Sequence, residues 1–454
     1  MYCNKQYYNN KDTIIIKLKL NTLSDTKCII NLYNFNNNII MSKNIDFIYS
    51  NENINSKDTY YKYNSTHIGY FNLDGNLKSN VYYLKYESNI FPITIITEEQ
   101  KDIIVVFPIN TIQAYNDIGN KNLYHSYKPE HRSNSHLNRA RKVTFNRPIN
   151  ESQIFLFESE FIKWFEHTNY NMKYITDHQL EDISNFDDCK LLIIIGHNEY
   201  ITRKAVDNMQ NFVNAGKNML VLSGNTFWWQ VRYEDNMNTL VCYKNSKEDP
   251  ITDNKLKTIN LPNQMDIYSL IGLDFRLGGY GRNKAKTYKE YCEIKNLSCN
   301  GTLLDNKIDY SKIKKTNDNS NIIPGFDGIK ILEDHILFKD IVKKNDVLEI
   351  SSTESDGFKV TSFIDNTLVY DKNEFYRYKV LGYDIMWRAG LTMAGFIACQ
   401  KTENSGIVIN TGTTDWCSDK GMGGKSSDEI KQITKNMINI LIQDKSIISN
   451  KIFV

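Results

Sequence analysis

The sequence predicts an α/β protein in which a small N-terminal β-sandwich precedes a doubly wound parallel sheet. Three observations carry that prediction. Residues 190–232 read as strand, polar turn, helix, turn, strand, polar turn. Other apolar, β-branched runs, at 103–107, 172–176 and 407–410, alternate with helical stretches, the pattern of strands buried on both faces of an α/β sheet. Before about residue 98 the chain shows only short β-rich runs between polar turns.

The sandwich strands are expected at Thr13–Leu20, Lys27–Tyr33, Ile45–Tyr49, Thr66–Phe71 and Asn80–Tyr86, with Asp74-Gly75 as a hairpin signal. Residues 1–98 are therefore expected to form a β-sandwich domain and 99–454 an α/β domain. In the latter, Ile103–Phe107 is a buried-type strand ending in a polar turn, Pro108–Asn116. A long polar loop runs to Arg147. Phe161, Trp164 and Phe165 share one face of a helix at Ser159–His167, and Met172–Thr176 is the next strand.

Lys190–Ile195 follows, then Gly196-His197-Asn198-Glu199-Tyr200 at its carboxyl end. Ala205, Met209, Phe212 and Val213 fall on one face of a helix at Ile201–Asn214, and Gly216 suits its C-cap. Met219–Leu222 is closed by Ser223-Gly224-Asn225-Thr226. A right-handed β-α-β crossover brings both polar turns to the sheet edge where open α/β sheets bind ligands.

From about 233 to 380 periodicity weakens and glycines cluster at 277–281, so an irregular insertion covering part of that edge is expected, with surface loops such as Lys312–Ser320. Within it Phe358–Ile364 and Asn366–Tyr370 suggest a hairpin. Ile407–Asn410, ending in Thr411-Gly412-Thr413-Thr414-Asp415-Trp416, is expected to complete the sheet. Ile430, Ile433, Met437 and Leu441 mark an amphipathic helix at Ser427–Gln443.

Composition narrows the function classes. The 454 residues suffice for two or three domains, and the net charge of +2 argues against nucleic acid or an anionic membrane as partner. No window approaches the roughly 18–20 apolar residues of a membrane span. The N-terminus MYCNKQYYNNKDT has no apolar signal core. Eight scattered cysteines form no CxxC pairs; even Cys292 and Cys299 read as reduced thiols. A cytoplasmic location follows as the expectation, with homo-oligomerisation left open.

His197 and Glu199 are two apart, which is not the i, i+4 spacing of a helical metal site. One can ligate or act as a base while the other supports it. Alternatively, His197 caps the next helix and Glu199 serves its dipole. Tyr115, at the end of the first sheet strand, is either a packing residue or a phenolate ligand to a hard, high-valent metal. Phe227, Trp228 and Trp229 either wall a pocket or belong to the core, and Trp416 has the same two readings. No G-x-S-x-G elbow and no phosphate loop occurs, which disfavours serine, cysteine and nucleotide-dependent mechanisms.

Taken together, TIQAYN (111–116), GHNEY (196–200), SGNTFWWQVR (223–232), VCYK…DP (241–250) and NTGTTDW (410–416) resemble the catalytic domain of the N,N-dimethylformamidase large subunit and its relatives. The order also matches that family's β-sandwich followed by a glutamine-amidotransferase-like α/β domain. The resemblance implies a hydrolase cleaving the C–N bond of a small amide. It implies mononuclear iron (Fe3+) held by two tyrosines and one glutamate. By motif the glutamate is Glu199 and one tyrosine is Tyr115. The second is Tyr82, in Ser79-Asn80-Val81-Tyr82, where the family has glycine in place of Asn80; Tyr83 and Tyr124 are its rivals. The histidine beside the metal falls on His197 and the amide side chain near the bound water on Asn225. Phe227, Trp228, Trp229 and Trp416 would line the pocket. The competing readings are a non-catalytic ligand- or glycan-binding protein on the same scaffold, and an enzyme acting on a sugar-type metabolite at the same site.

Overall fold

The computed structural model describes residues 1–56, 61–281, 328–364, 367–388, 391–443 and 445–453. The protein is a mixed α/β structure dominated by sheets. It divides into two compact units. The first comprises 1–188, 200–208 and 229–261; the second comprises 189–199, 209–228 and 262–454. No helix among the described residues is long and apolar enough to cross a membrane. Cys292, Cys299 and the Lys312–Ser320 run lie outside the described residues; the other six cysteines are buried free thiols.

In the first unit, eight strands within residues 2–96 form a continuous antiparallel path, joined at one end by the parallel pair Tyr7–Asn9 and Asn89–Ile96. The strand Ile39–Ser56 is long because it changes partner. Its first half pairs with Thr26–Tyr33 and its second half with Tyr61–Asn72, with an irregularity after Tyr49. Apolar alternation drives the inward face: Ile14, Ile16 and Leu18 are buried while their neighbours are not. Asp74-Gly75 does not make a hairpin. It joins Tyr61–Asn72 to Asn80–Tyr86, which are not neighbours in the sheet. The turn is instead latched to Asn10, whose carbonyl accepts from Gly75 and whose amide donates to the Gly75 carbonyl.

Ile103–Phe107 and Met172–Thr176 pair in parallel in the same unit. The segment after Phe107, expected as a polar turn, is a helix, Ile109–Tyr115. Its polar residues are buried, and remote side chains engage backbone groups at both ends. Asp177 accepts from the Asn110 backbone N–H at 2.8 Å, a carboxylate at a helix N-terminus. The buried Arg147 guanidinium donates to the carbonyls of Gln113 and Ile118, both at 2.8 Å, at the other end.

In the second unit, Leu191–Gly196, Asn218–Ser223 and Ile407–Asn410 are parallel, fully buried strands. The sheet does not end at Ile407–Asn410. Leu391–Gln400 adds antiparallel to it, followed by strands from the stretch expected to be irregular. Four of these close into a ring: Leu391–Gln400 pairs with Arg377–Trp387 and Glu354–Gly357, and Asp274–Tyr280 pairs with both of the latter. Closure satisfies edges that an open sheet would expose. The expected hairpin is present as Val360–Ile364 with Thr367–Tyr370, and the C-terminal amphipathic helix as Ser427–Leu441.

Candidate active site

The parallel register aligns Gly196 with Ser223, so the loops that follow these two strands leave the sheet side by side. They are tied together. The Asn198 N–H donates to Ser223 Oγ at 3.2 Å, and the Phe227 N–H donates to the Asn198 carbonyl at 2.8 Å. The second loop is conformationally costly, with Asn225 at φ 48° and Phe227 at φ 56°. Left-handed non-glycine residues of this kind are concentrated at functional loops.

These loops bring His197, Glu199 and Asn225 together, all buried. His197 Nε2 lies 3.4 Å from Glu199 Oε2. A fourth residue joins them. Glu354 Oε2 is also 3.4 Å from His197 Nε2, and it accepts a 2.8 Å hydrogen bond from Asn225 Nδ2. Glu354 opens the strand Glu354–Gly357 in the stretch expected as an irregular cover. In the sequence, the motif Glu-Ser-Asp-Gly carries no local signature that singles out this carboxylate. Two carboxylates thus face one imidazole nitrogen in this buried cluster.

The NTGTTDW segment fixes Glu354 in place. The Thr414 N–H donates to the Glu354 carbonyl at 3.1 Å, and the Asp356 N–H donates to the Gly412 carbonyl at 2.7 Å. Gly224 allows the close approach of loop to strand: a β-carbon there would sit 2.5 Å from Thr414 N and 2.6 Å from Glu354 O. Asp356 accepts the Thr226 N–H at 3.1 Å. Its complete burial pushes its pKa up from 3.8 to about 8.

Around the cluster, Phe227 is fully buried. Trp228 is half-buried, edge-on to Phe275 at 5.3 Å. Trp416 is not brought to this group. It is fully buried, its ring 5.5 Å from Phe396, and its Nε1–H donates to Thr434 Oγ1 at 2.9 Å. Asp415 accepts from the Thr353 N–H and pairs with Lys420.

The tyrosines lie in the first unit. Tyr115 stacks on Tyr124 at 4.4 Å, and Tyr200 meets both rings edge-on at 6.3 Å. Lys244 Nζ sits 3.0 Å from the Tyr124 ring centre and 5.0 Å from that of Trp229. Tyr82 is buried in Asn80–Tyr86, where its hydroxyl donates to the Lys78 carbonyl at 3.1 Å and burial raises its pKa. The Tyr83 hydroxyl donates to Asn37 at 2.7 Å. Of the two rivals to Tyr82, Tyr124 is the one stacked on Tyr115.

The donor chemistry fits a hard cation. Glu199 offers a buried carboxylate close to that of Glu354, and phenols and carboxylates are the oxygen donors that such ions prefer. Among the described residues, no three His, Cys, Asp or Glu side chains form a metal-holding group by themselves.

No curated protein compared with the chain matches it. The sequence model of one family, described as N,N-dimethylformamidase beta subunit-like, C-terminal, matches residues 75–419. That span covers well over half of the chain and includes both loops and Glu354, so the protein belongs to the N,N-dimethylformamidase beta subunit-like family.

Proposed function

We propose that the protein is an iron-dependent hydrolase that cleaves the C–N bond of a small amide. Membership of the family supports the hydrolase class. The observation that carries the reading furthest is the buried His197–Glu199–Glu354–Asn225 cluster at the ends of two parallel strands. In this reading Glu199 is the carboxylate ligand of Fe3+, and Tyr115 and Tyr82 are the phenolate ligands by motif. We further read residues 99–454 as a doubly wound, amidotransferase-like domain behind a β-sandwich of residues 1–98.

When bound, the ion supplies Lewis-acid activation of water and of the amide carbonyl. The protein's own side chains do the rest. His197 takes the proton of the attacking water and returns it to the leaving amine. Glu354 and Glu199, both 3.4 Å from Nε2, stabilise the imidazolium formed between those two transfers. Asn225 spends one amide N–H on Glu354, and its buried Oδ1 has no hydrogen-bond partner among the described residues. That oxygen is placed to accept from the water, while the second N–H supports the developing oxyanion. Phe227 and Trp228 exclude bulk solvent.

Metal analysis of the purified protein, joined to an amine-release assay over a panel of small amides, tests the proposal. Stoichiometric iron, a visible phenolate-to-iron band and amine release are expected. A colourless protein that binds no iron on reconstitution and releases no amine overturns it.

A further inference from the structure

Outside the cluster, the second unit holds a cation whose setting the hydrolytic machinery does not use. The sheet register makes Tyr280 the direct partner of Glu354 on one side and of Trp387 on the other. Arg388 follows immediately. It is half-buried, with its guanidinium 4.5 Å from the Trp228 ring centre and 4.6 Å from that of Phe275. One N–H, from Nη1, donates to the Phe275 carbonyl at 2.5 Å. Tyr280 packs edge-on to Phe275 at 5.4 Å, and its phenol feels the charges of Glu354, Arg388 and Glu199. Arg388 therefore borders the cluster.

Nearby acids are engaged elsewhere. Asp274 pairs with Arg276, Asp356 accepts from Thr226, and Glu354 accepts from Asn225. Among the described residues, no carboxylate forms an ion pair with Arg388. A guanidinium set against two aromatic rings that meet edge to face, with one donor anchored and no second hydrogen bond among the described residues, is preorganised for a planar anion. Burial removes competing water and strengthens such a contact. Burial works against the Arg388 charge, while Asp274 and Asp356 favour it from a distance without contacting it.

We propose that Arg388 is a specificity-determining residue that binds a carboxylate on the substrate, making the substrate class an amide that bears a free acid, such as an N-acylated amino acid. The inference rests on the hydrolase reading of the neighbouring cluster. Trp228, under the guanidinium, and Phe275 would hold the apolar body of the same molecule.

The test is a tryptophan-fluorescence titration of the full chain, as isolated, with N-acetyl-L-phenylalanine and its neutral counterpart N-acetyl-L-phenylalaninamide. The acid is expected to bind about tenfold or more tightly than the amide, the scale of a charge-assisted hydrogen bond. Arg388→Met is expected to abolish the difference. Arg388→Lys, which keeps the charge but not the fork, is expected to reduce it and guards against a misfolded methionine variant. Equal affinity in the parent protein, no binding of the acid at millimolar concentration, or a preference that survives in both variants overturns the proposal. The readout needs no turnover. A carboxylate preference without amine release would retain Arg388 as an anion site while sinking the hydrolase reading.

Discussion

Glu354 Oε2 accepts a 2.8 Å hydrogen bond from Asn225 Nδ2 across 129 residues of chain, and the same oxygen stands 3.4 Å from His197 Nε2. One atom thus orients both the amide and the imidazole. Glu354→Ala should lower kcat by roughly 10²–10³-fold, the scale of a lost general acid–base arrangement, while leaving the iron content unchanged. Full kcat in a folded variant would remove Glu354 from the mechanism. Loss of iron would make it a ligand instead.

Glu199 and His197 should separate under the same two measurements. Glu199→Ala is expected to abolish iron uptake and the visible band together. His197→Ala should keep both and lose turnover by about 10²–10⁴-fold. Iron content unaffected by Glu199→Ala would take Glu199 out of the ligand set.

Asp356 couples this region to pH. Its folded pKa, about 8, is raised above the unfolded value by burial. The folded state therefore holds a proton that the unfolded chain has already released. Stability from this group is fully present below about pH 4 and is lost as pH rises through about 8. Asp356→Asn keeps an oxygen for the Thr226 N–H and cannot ionise. Its urea midpoint should fall less between pH 5 and pH 8.5 than that of the parent protein. Parallel curves would show that Asp356 ionises normally.

Gly224 should tolerate no side chain. A β-carbon 2.5 Å from Thr414 N and 2.6 Å from Glu354 O meets backbone on both sides, so the strand bearing Glu354 must shift. Gly224→Ala should cost about 1–3 kcal/mol, as overpacking does, and lower kcat with it. A thermal melt and a rate measurement on the same sample check the pairing.

Trp416 offers a contrast. Its indole N–H is committed to Thr434 within the core. Thr434→Val leaves that N–H unsatisfied, which should cost about 1–3 kcal/mol with KM and kcat unchanged at low temperature. A changed KM would bring Trp416 back to the pocket.

How far the sequence could be read depended on where each signal resided. GHNEY and SGNT were legible because a parallel β-α-β unit obliges both loops to emerge at one edge, and Gly196 does align with Ser223. The Ile109–Tyr115 helix was hidden because Asn110, Thr111 and Gln113 look like turn residues. The partners of the helix's end groups, Asp177 and Arg147, are remote in sequence. Glu354 and Arg388 were hidden for a related reason. Their strands pack within a closed ring, so neither face alternates cleanly, and glycines such as Gly278 serve backbone approach rather than loops. The tyrosines were legible as motif letters only. The stacking of Tyr115 on Tyr124 depends on a loop with no periodicity.

The ring of four strands that carries Glu354 bears on how the protein folds. One of its pairings is the local hairpin of Arg377–Trp387 with Leu391–Gln400; the other three join segments distant in sequence, and such contacts form late because distant loops must close first. His197 and Asn225 sit on the loops that follow two parallel strands joined by a single helix, a nearer pairing in sequence that can form earlier. The carboxylate that joins them arrives only when the ring shuts. During refolding, protection of the parallel strands against hydrogen exchange should therefore precede the return of catalysis, and a partly folded chain would carry the two recognisable loops yet remain inert.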